Sequence, residues 1–349
     1  MSTVSQIEWT DRTWTPVVGC DAISPACANC FAATMAARLV AMGTPKYEGT
    51  ATRHGAKGKW TGRVNVDERE MLAPPRVKKP QRWFLTSMGD VGHAAVTDET
   101  LDRLFAVMAL CPHHTFYVLT KRPERLAEYL LNGSARDERG NPAEDIRAAM
   151  TAMAAPAGKY AARITWPMTN VIIGCTAEDQ QRADERRGAM RALALEGWRT
   201  MVSYEPALGL VDWSGWEFLS WLISGGESGH GARPSHPDWH RAARDWCAAN
   251  GVPYLFKQWG EYGTASVRMS TGEAVFRQFD TFQQWVNKAS TWVHPGAACV
   301  DRHGRRLLVG KDFMRARDED AFPVTIMDKM GKKAAGRTLD GRTHDEVPA

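Results

Sequence analysis

Cys20, Cys27 and Cys30 fall in the order C-x6-C-x2-C within Val18-Gly19-Cys20-Asp21-Ala22-Ile23-Ser24-Pro25-Ala26-Cys27-Ala28-Asn29-Cys30-Phe31. Thiolates are soft ligands that suit iron–sulfur clusters and zinc, and a close pair with a third cysteine on the preceding loop can converge on one face of a cluster. Three such ligands leave one iron of a cubane open to a small molecule. A structural zinc site needs a fourth protein ligand, and the nearest histidine is only His54. The remaining reading is three inert, buried thiols at a strand-to-helix turn. An iron–sulfur centre is the leading one. Of the other cysteines, Cys111, Cys175, Cys247 and Cys299 have no neighbours in sequence and read as structural; seven in a long chain do not suggest a disulfide scaffold.

Such a centre has to be held by regular elements. Apolar runs at Trp83–Leu85, Phe116–Leu119, Val171–Ile173, Met201–Val202, Trp221–Ile223 and Tyr254–Phe256 alternate with amphipathic stretches at Asp98–Leu110, Arg122–Leu131, Glu178–Leu195 and Pro237–Asn250. This alternation predicts βα units and, with a first strand before Cys20, a full or partial (βα) barrel of about 6–8 parallel strands. In such folds chemistry sits at the carboxyl ends of the strands. The runs end in Thr86-Ser87-Met88-Gly89-Asp90, Thr120-Lys121-Arg122, Gly174-Cys175-Thr176-Ala177-Glu178, Ser203-Tyr204-Glu205, Gly225-Gly226-Glu227 and Lys257-Gln258. A purely structural barrel has no need of Asp90, Lys121, Glu205, Glu227 and Lys257 at one mouth, so they read as one polar ring that Cys20 would join. Glu205, Glu227 and Lys257 are the catalytic candidates.

The pattern places a barrel domain at 1–260, with the cysteine loop at 20–30 and an insertion at 43–80, and an irregular extension at 261–349. Within the insertion, Gly43 to Arg63 carries five Lys/Arg against one acid, which suits either phosphate contact or a solvated loop. A net charge of +4 on 349 residues is too small to indicate nucleic acid by itself. Without a signal-like start or a long apolar run, the expected location is the cytoplasm, with no membrane partner. His93 reads as a hydrogen-bonding residue beside a strand end. His113 and His114 precede a strand and so face the other end of the barrel. The fourteen tryptophans fit core or base-stacking roles equally well.

Several runs together resemble the phage gene product thirty-seven/sixty-eight family: Ile7-Glu8-Trp9-Thr10, the cysteine motif, Ser87-Met88-Gly89-Asp90, Val118-Leu119-Thr120-Lys121-Arg122-Pro123, Gly225-Gly226-Glu227-Ser228-Gly229, Phe256-Lys257-Gln258-Trp259-Gly260 and Gly331-Lys332-Lys333-Ala334-Ala335-Gly336. That architecture is similar to radical S-adenosylmethionine enzymes, in which three cysteines on the loop after the first strand hold a [4Fe-4S] cluster. The resemblance implies cluster ligation by Cys20, Cys27 and Cys30. It also implies S-adenosylmethionine contacts from Ser87, Gly89, Asp90, Lys121, Thr176 and Glu178, with an external electron donor and a 5′-deoxyadenosyl radical as the reactive species. The superfamily spacing is C-x3-C-x2-C; here the first gap is six residues and Asn29 stands where an aromatic residue is usual. The phage context points to a nucleic-acid substrate. The alternative is a zinc-stabilised, non-catalytic nucleic-acid-binding protein.

Overall fold

The computed structural model describes residues 4–5, 7–132, 148–149 and 165–348. Its main feature is a seven-stranded parallel sheet built from β1 (Arg12–Trp14), β2 (Arg82–Leu85), β3 (Thr115–Thr120), β4 (Val171–Thr176), β5 (Arg199–Tyr204), β6 (Trp221–Gly225) and β7 (Tyr254–Gln258), in chain order across the sheet. Strand order ends at β1 and β7, so of the two forms expected this is the partial barrel. All six residues of β4 and all five of β6 are buried, the near-continuous apolar pattern of parallel strands covered on both faces. The amphipathic stretches form α2 (Asp98–Leu110), α3 (Pro123–Leu131), α4 (Gln180–Leu195) and α5 (Pro237–Asn250), while α1 (Phe31–Ala41) follows the cysteines. Their ends follow local chemistry: the Thr97 hydroxyl caps α2, Pro123 and Pro237 open α3 and α5, and Gly251 closes α5 in the left-handed region at φ 65°.

The chain divides into two compact units, one of 1–176, 184–202 and 218–220, the other of 177–183, 203–217 and 221–349. In the first, the insertion carries regular structure and is not a loose solvated loop. Ala51–His54 pairs antiparallel with Lys57–Trp60 as a hairpin, and Asn65–Val66 pairs with Val17–Val18 just ahead of Cys20. The hairpin packs on α1 through a small core of Val18, Ala36, Ala37, Tyr47, Ala51 and Met88. Gly58 is required there, since a Cβ would lie 2.1 Å from the Ala33 carbonyl oxygen.

In the second unit, the segment expected to be irregular is regular. Short strands β8 (Tyr262–Gly263), β9 (Gln278–Phe279), β10 (Ala298–Val300), β11 (Arg306–Leu307) and β12 (Val324–Lys329) form an antiparallel sheet with β12 at its centre. Helices α6 (Phe282–Trp292) and α7 (Gly310–Asp318) cover it. The Phe279–Trp292 and Trp285–Phe313 rings stack with centroids 5.4 and 4.3 Å apart. Trp14, Trp83, Trp213, Trp216, Trp221 and Trp239 are all buried side chains, which assigns these six tryptophans to the core.

Three buried histidines tie the fold to pH. His240 bridges Ser224 Oγ at 2.5 Å and Ser235 Oγ at 2.9 Å, and His236 meets Thr325 Oγ1 at 2.8 Å through Nε2 while its Nδ1 accepts from the Asp238 N–H. His114 lies between the Gln81 N–H and the Pro74 carbonyl, away from the strand carboxyl ends as expected. Burial pulls His114 and His236 down to about 4 and His240 to about 3. In the unfolded chain each takes up a proton near 6.5, so below that pH the unfolded state binds protons that the native state does not, and stability falls with falling pH. Denaturant titration should show a loss on the order of 1 kcal/mol per histidine between pH 6.5 and 5.5. A flat profile from pH 7 to 5 would contradict the neutral buried rings.

Candidate metal centre

The cysteine loop leaves β1 through Gly19, whose φ of 102° is strained for any other residue and whose Cβ would sit 2.1 Å from the Arg63 carbonyl oxygen. Gly19 makes a parallel bridge to Gly89 beyond the end of β2, and the Gly62 N–H donates to the Cys20 carbonyl. The base of the insertion therefore clasps the loop at Cys20. Pro25 opens a 3-10 turn, Pro25–Asn29, that contains Cys27; the Cys30 N–H closes on the Cys27 carbonyl at 3.3 Å. Cys30 is itself the N-cap of α1, its sulfur accepting from the Ala33 N–H at 3.4 Å. All three thiols are free and partly exposed, whereas Cys111, Cys175, Cys247 and Cys299 are buried. The C-x2-C spacing thus places two sulfurs one turn apart at the start of a helix.

Beside this loop sits Asp90, only 4% exposed. Its Oδ1 accepts from the Gly92 N–H at 2.9 Å and the Thr120 hydroxyl at 2.5 Å; Oδ2 accepts from the Lys121 N–H at 3.2 Å and Arg122 Nη1 at 2.7 Å. Gly92 must be a glycine, as a Cβ would stand 2.6 Å from Thr120 Oγ1. Arg122 goes on to pair with Asp21 through Nη2 and lies 3.7 Å from Cys20 Sγ through Nη1. His93 reaches the same Asp21 oxygen at 2.9 Å. Burial, then the charge of Asp90, pushes the Cys20 thiol up to about 12, against the pull of Arg122. A metal at Cys20 has to displace that proton, and the Arg122 guanidinium is the cation that offsets the thiolate left behind.

The other expected contacts in this unit lie on the same strand ends. Ser87 Oγ is 3.3 Å from Thr15 Oγ1, and Lys121 Nζ donates to Thr176 Oγ1 at 3.2 Å. Gly89 is packed so closely that a Cβ would stand 3.0 Å from the carbonyl oxygens of Val17 and Gly19. Thr86, just past the end of β2, has φ 60°, a strained value for a β-branched residue, and its buried hydroxyl has no hydrogen-bond partner among the described residues. Sequence reasoning passed over Arg122, Asp21 and Thr120. The available signals were a cation just after a strand end and an acid next to the first cysteine.

In the second unit, Glu205 at the end of β5 is gripped by Lys257 Nζ at 2.8 and 2.9 Å and by Gln258 Nε2 at 3.2 Å. This acid–base pair is partly exposed, with side chains 18% and 16% accessible. Glu227 is differently engaged: it accepts from the Arg233 N–H and Nε at 2.8 Å each and from Nη2 at 2.5 Å, which pins the Gly-rich turn. Gly226 belongs to that turn because a Cβ would lie 2.0 Å from the Trp259 carbonyl oxygen. Glu178 is wholly buried.

The first unit presents three free thiols on one loop, with a guanidinium against the first of them and the buried Thr86 hydroxyl beside Gly89; among the described residues no three His, Cys, Asp or Glu side chains are already grouped to hold a metal ion.

A family model described as a protein of unknown function, DUF5131, matches residues 4–348. No curated protein matches. Among solved structures, similar ones include a single-site mutant of spore photoproduct lyase, at 12% identity and TM-score 0.36, and a double mutant with bound AdoMet and dinucleoside spore photoproduct, at 10% identity and TM-score 0.35. Each alignment covers 93% of this chain and 77% of that one. On the family match over almost its whole length, the chain belongs to the DUF5131 family of proteins of unknown function.

Proposed function

We propose that the protein is an iron–sulfur enzyme of the radical S-adenosylmethionine type that acts on a nucleic-acid base. The observation that carries the reading is the cysteine loop after β1, with Cys20 set against an Arg122 that is anchored by the buried Asp90. When bound, a [4Fe-4S] cluster would pass one electron to S-adenosylmethionine, leaving methionine and a 5′-deoxyadenosyl radical that takes hydrogen from the substrate. Cys20, Cys27 and Cys30 would each hold one iron. A structural zinc ion needs a fourth protein ligand beside the three cysteines, whereas a cubane takes one thiolate per iron and leaves its fourth iron for a small molecule.

Ser87, Gly89, Lys121 and Thr176 are the residues of the first unit proposed to hold the methionine and ribose groups, with the Thr86 hydroxyl added to them. Asp90, which the resemblance implies as an S-adenosylmethionine contact, has both oxygens engaged and is proposed instead to position Arg122. In the second unit, Glu178 is the remaining proposed cofactor contact. Lys257 and Glu205, in direct contact, are the group suited to moving a proton. Glu227 would shape the turn through Arg233. The exposed cations of the hairpin support an anionic, nucleic-acid substrate, and reduction would come from an external donor.

Anaerobic purification with iron, zinc and sulfide analysis tests the reading. About four irons with matching sulfide per chain are expected, lost in Cys27→Ala, and 5′-deoxyadenosine should form on adding S-adenosylmethionine and reductant. One zinc per chain without sulfide would sink the proposal. For Asp90→Asn, urea denaturation of the metal-free protein should register a loss of about 3 kcal/mol, because the half-buried Arg122 loses its main partner. A loss under about 1 kcal/mol would mean that Asp90 does not hold Arg122.

A further inference from the structure

Between α1 and the hairpin runs a groove of about 430 Å³ whose walls come from these two elements alone. One stripe of α1 faces it: Phe31, Thr34, Met35, Arg38 and Met42 recur at the three-to-four-residue spacing of a helix face. Phe31 is 69% exposed and Met42, the C-cap, 68%, unusual for large apolar side chains on a helix that buries Ala33, Ala36 and Ala37. Across the groove, among the described residues, the Arg53 side chain donates only to the Gly55 carbonyl and the Lys57 side chain only to Asn29 Oδ1. Among the described residues neither these two nor Arg38 forms a salt bridge, and no carboxylate lines the groove. The result is an open aromatic face and an apolar floor with three uncompensated cations around it.

We propose that this groove binds a single-stranded stretch of nucleic acid, with a base stacked on Phe31 and phosphates held by Arg38, Arg53 and Lys57. The assignment rests on the nucleic-acid substrate argued above and names where that substrate is gripped. Stacking on an exposed ring flanked by cations is the general means of holding unpaired strands, since every base has a π-face and every link a negative charge. A protein partner fits less well, because a stable protein interface engages about 20–30 residues a side, far more than this groove offers. Phe31 directly follows Cys30, so a strand held here lies against the cysteine loop itself.

Fluorescence anisotropy of a labelled single-stranded DNA oligonucleotide against the full-length, anaerobically purified protein tests this. Phe31→Ala should weaken binding at least about 5-fold, and Phe31→Trp should restore it. The double variant R53Q/K57Q should reduce the slope of log affinity against log salt by about 1.4, the value for two phosphate contacts on a single strand. Lys311→Gln, on an exposed face of α7, should change nothing. Circular dichroism and iron content measured on the same samples separate a lost contact from a lost fold or cluster. Unaltered binding in both groove variants would overturn the groove while leaving a nucleic-acid substrate in place. Failure of the native protein to bind any oligonucleotide would overturn both. Competition by a polyglutamate peptide as effective as that by unlabelled DNA would show that the groove reads acidic charge alone, and would overturn the stacking assignment.

Discussion

A buried carboxylate cannot be left with unmet charge, and at Asp90 that requirement organises the site. Its four hydrogen bonds come from the Gly92 N–H, the Thr120 hydroxyl, the Lys121 N–H and the Arg122 guanidinium, so the loops after β2 and β3 are tied to one another. Arg122 carries the tie onward to Asp21 and Cys20 on the loop after β1. Three successive strand ends are thereby held in one ion-pair network in which every charged partner is a short contact. Such a network favours one arrangement of the cysteine loop over others, which is the kind of pre-organisation a metal centre needs.

The loop is constrained from its other side by backbone packing. Gly19 lies flat against Arg63, the Gly62 N–H reaches the Cys20 carbonyl, and Val17–Val18 pairs with Asn65–Val66. The insertion is thus a collar for the cysteine loop as well as a carrier of exposed cations. The six-residue gap between Cys20 and Cys27 makes sense in this setting. It holds Asp21, which Arg122 and His93 both engage, and Ser24-Pro25, which start the turn that lifts Cys27 toward Cys30.

Much of this was legible from residue types. The long apolar runs and amphipathic stretches marked the strands and helices of the parallel sheet, with α2 and α5 at the expected limits, because burial on both faces and helical periodicity each leave a strong pattern. The C-terminal sheet left none: apart from β12, its strands are two or three residues long, too short for alternation to register. The hairpin was hidden by its exposed, charged residues, which read as a loop. At the site, residue type indicated Asp90 and Glu227 as polar strand-end groups. Only geometry reveals that Arg122 and Arg233 already occupy them, since a carboxylate facing solvent and one locked to an arginine look alike in sequence. The pair Lys257–Glu205 was visible as two residues and invisible as a contact.

The central claim is that Cys20, Cys27 and Cys30 hold a cluster with one iron left open for S-adenosylmethionine. Electron paramagnetic resonance of the anaerobically reduced protein, recorded with and without S-adenosylmethionine, reads that open position directly. The account predicts a reduced-cluster signal whose shape changes when the cofactor is added. A signal that saturating S-adenosylmethionine leaves unchanged would contradict it.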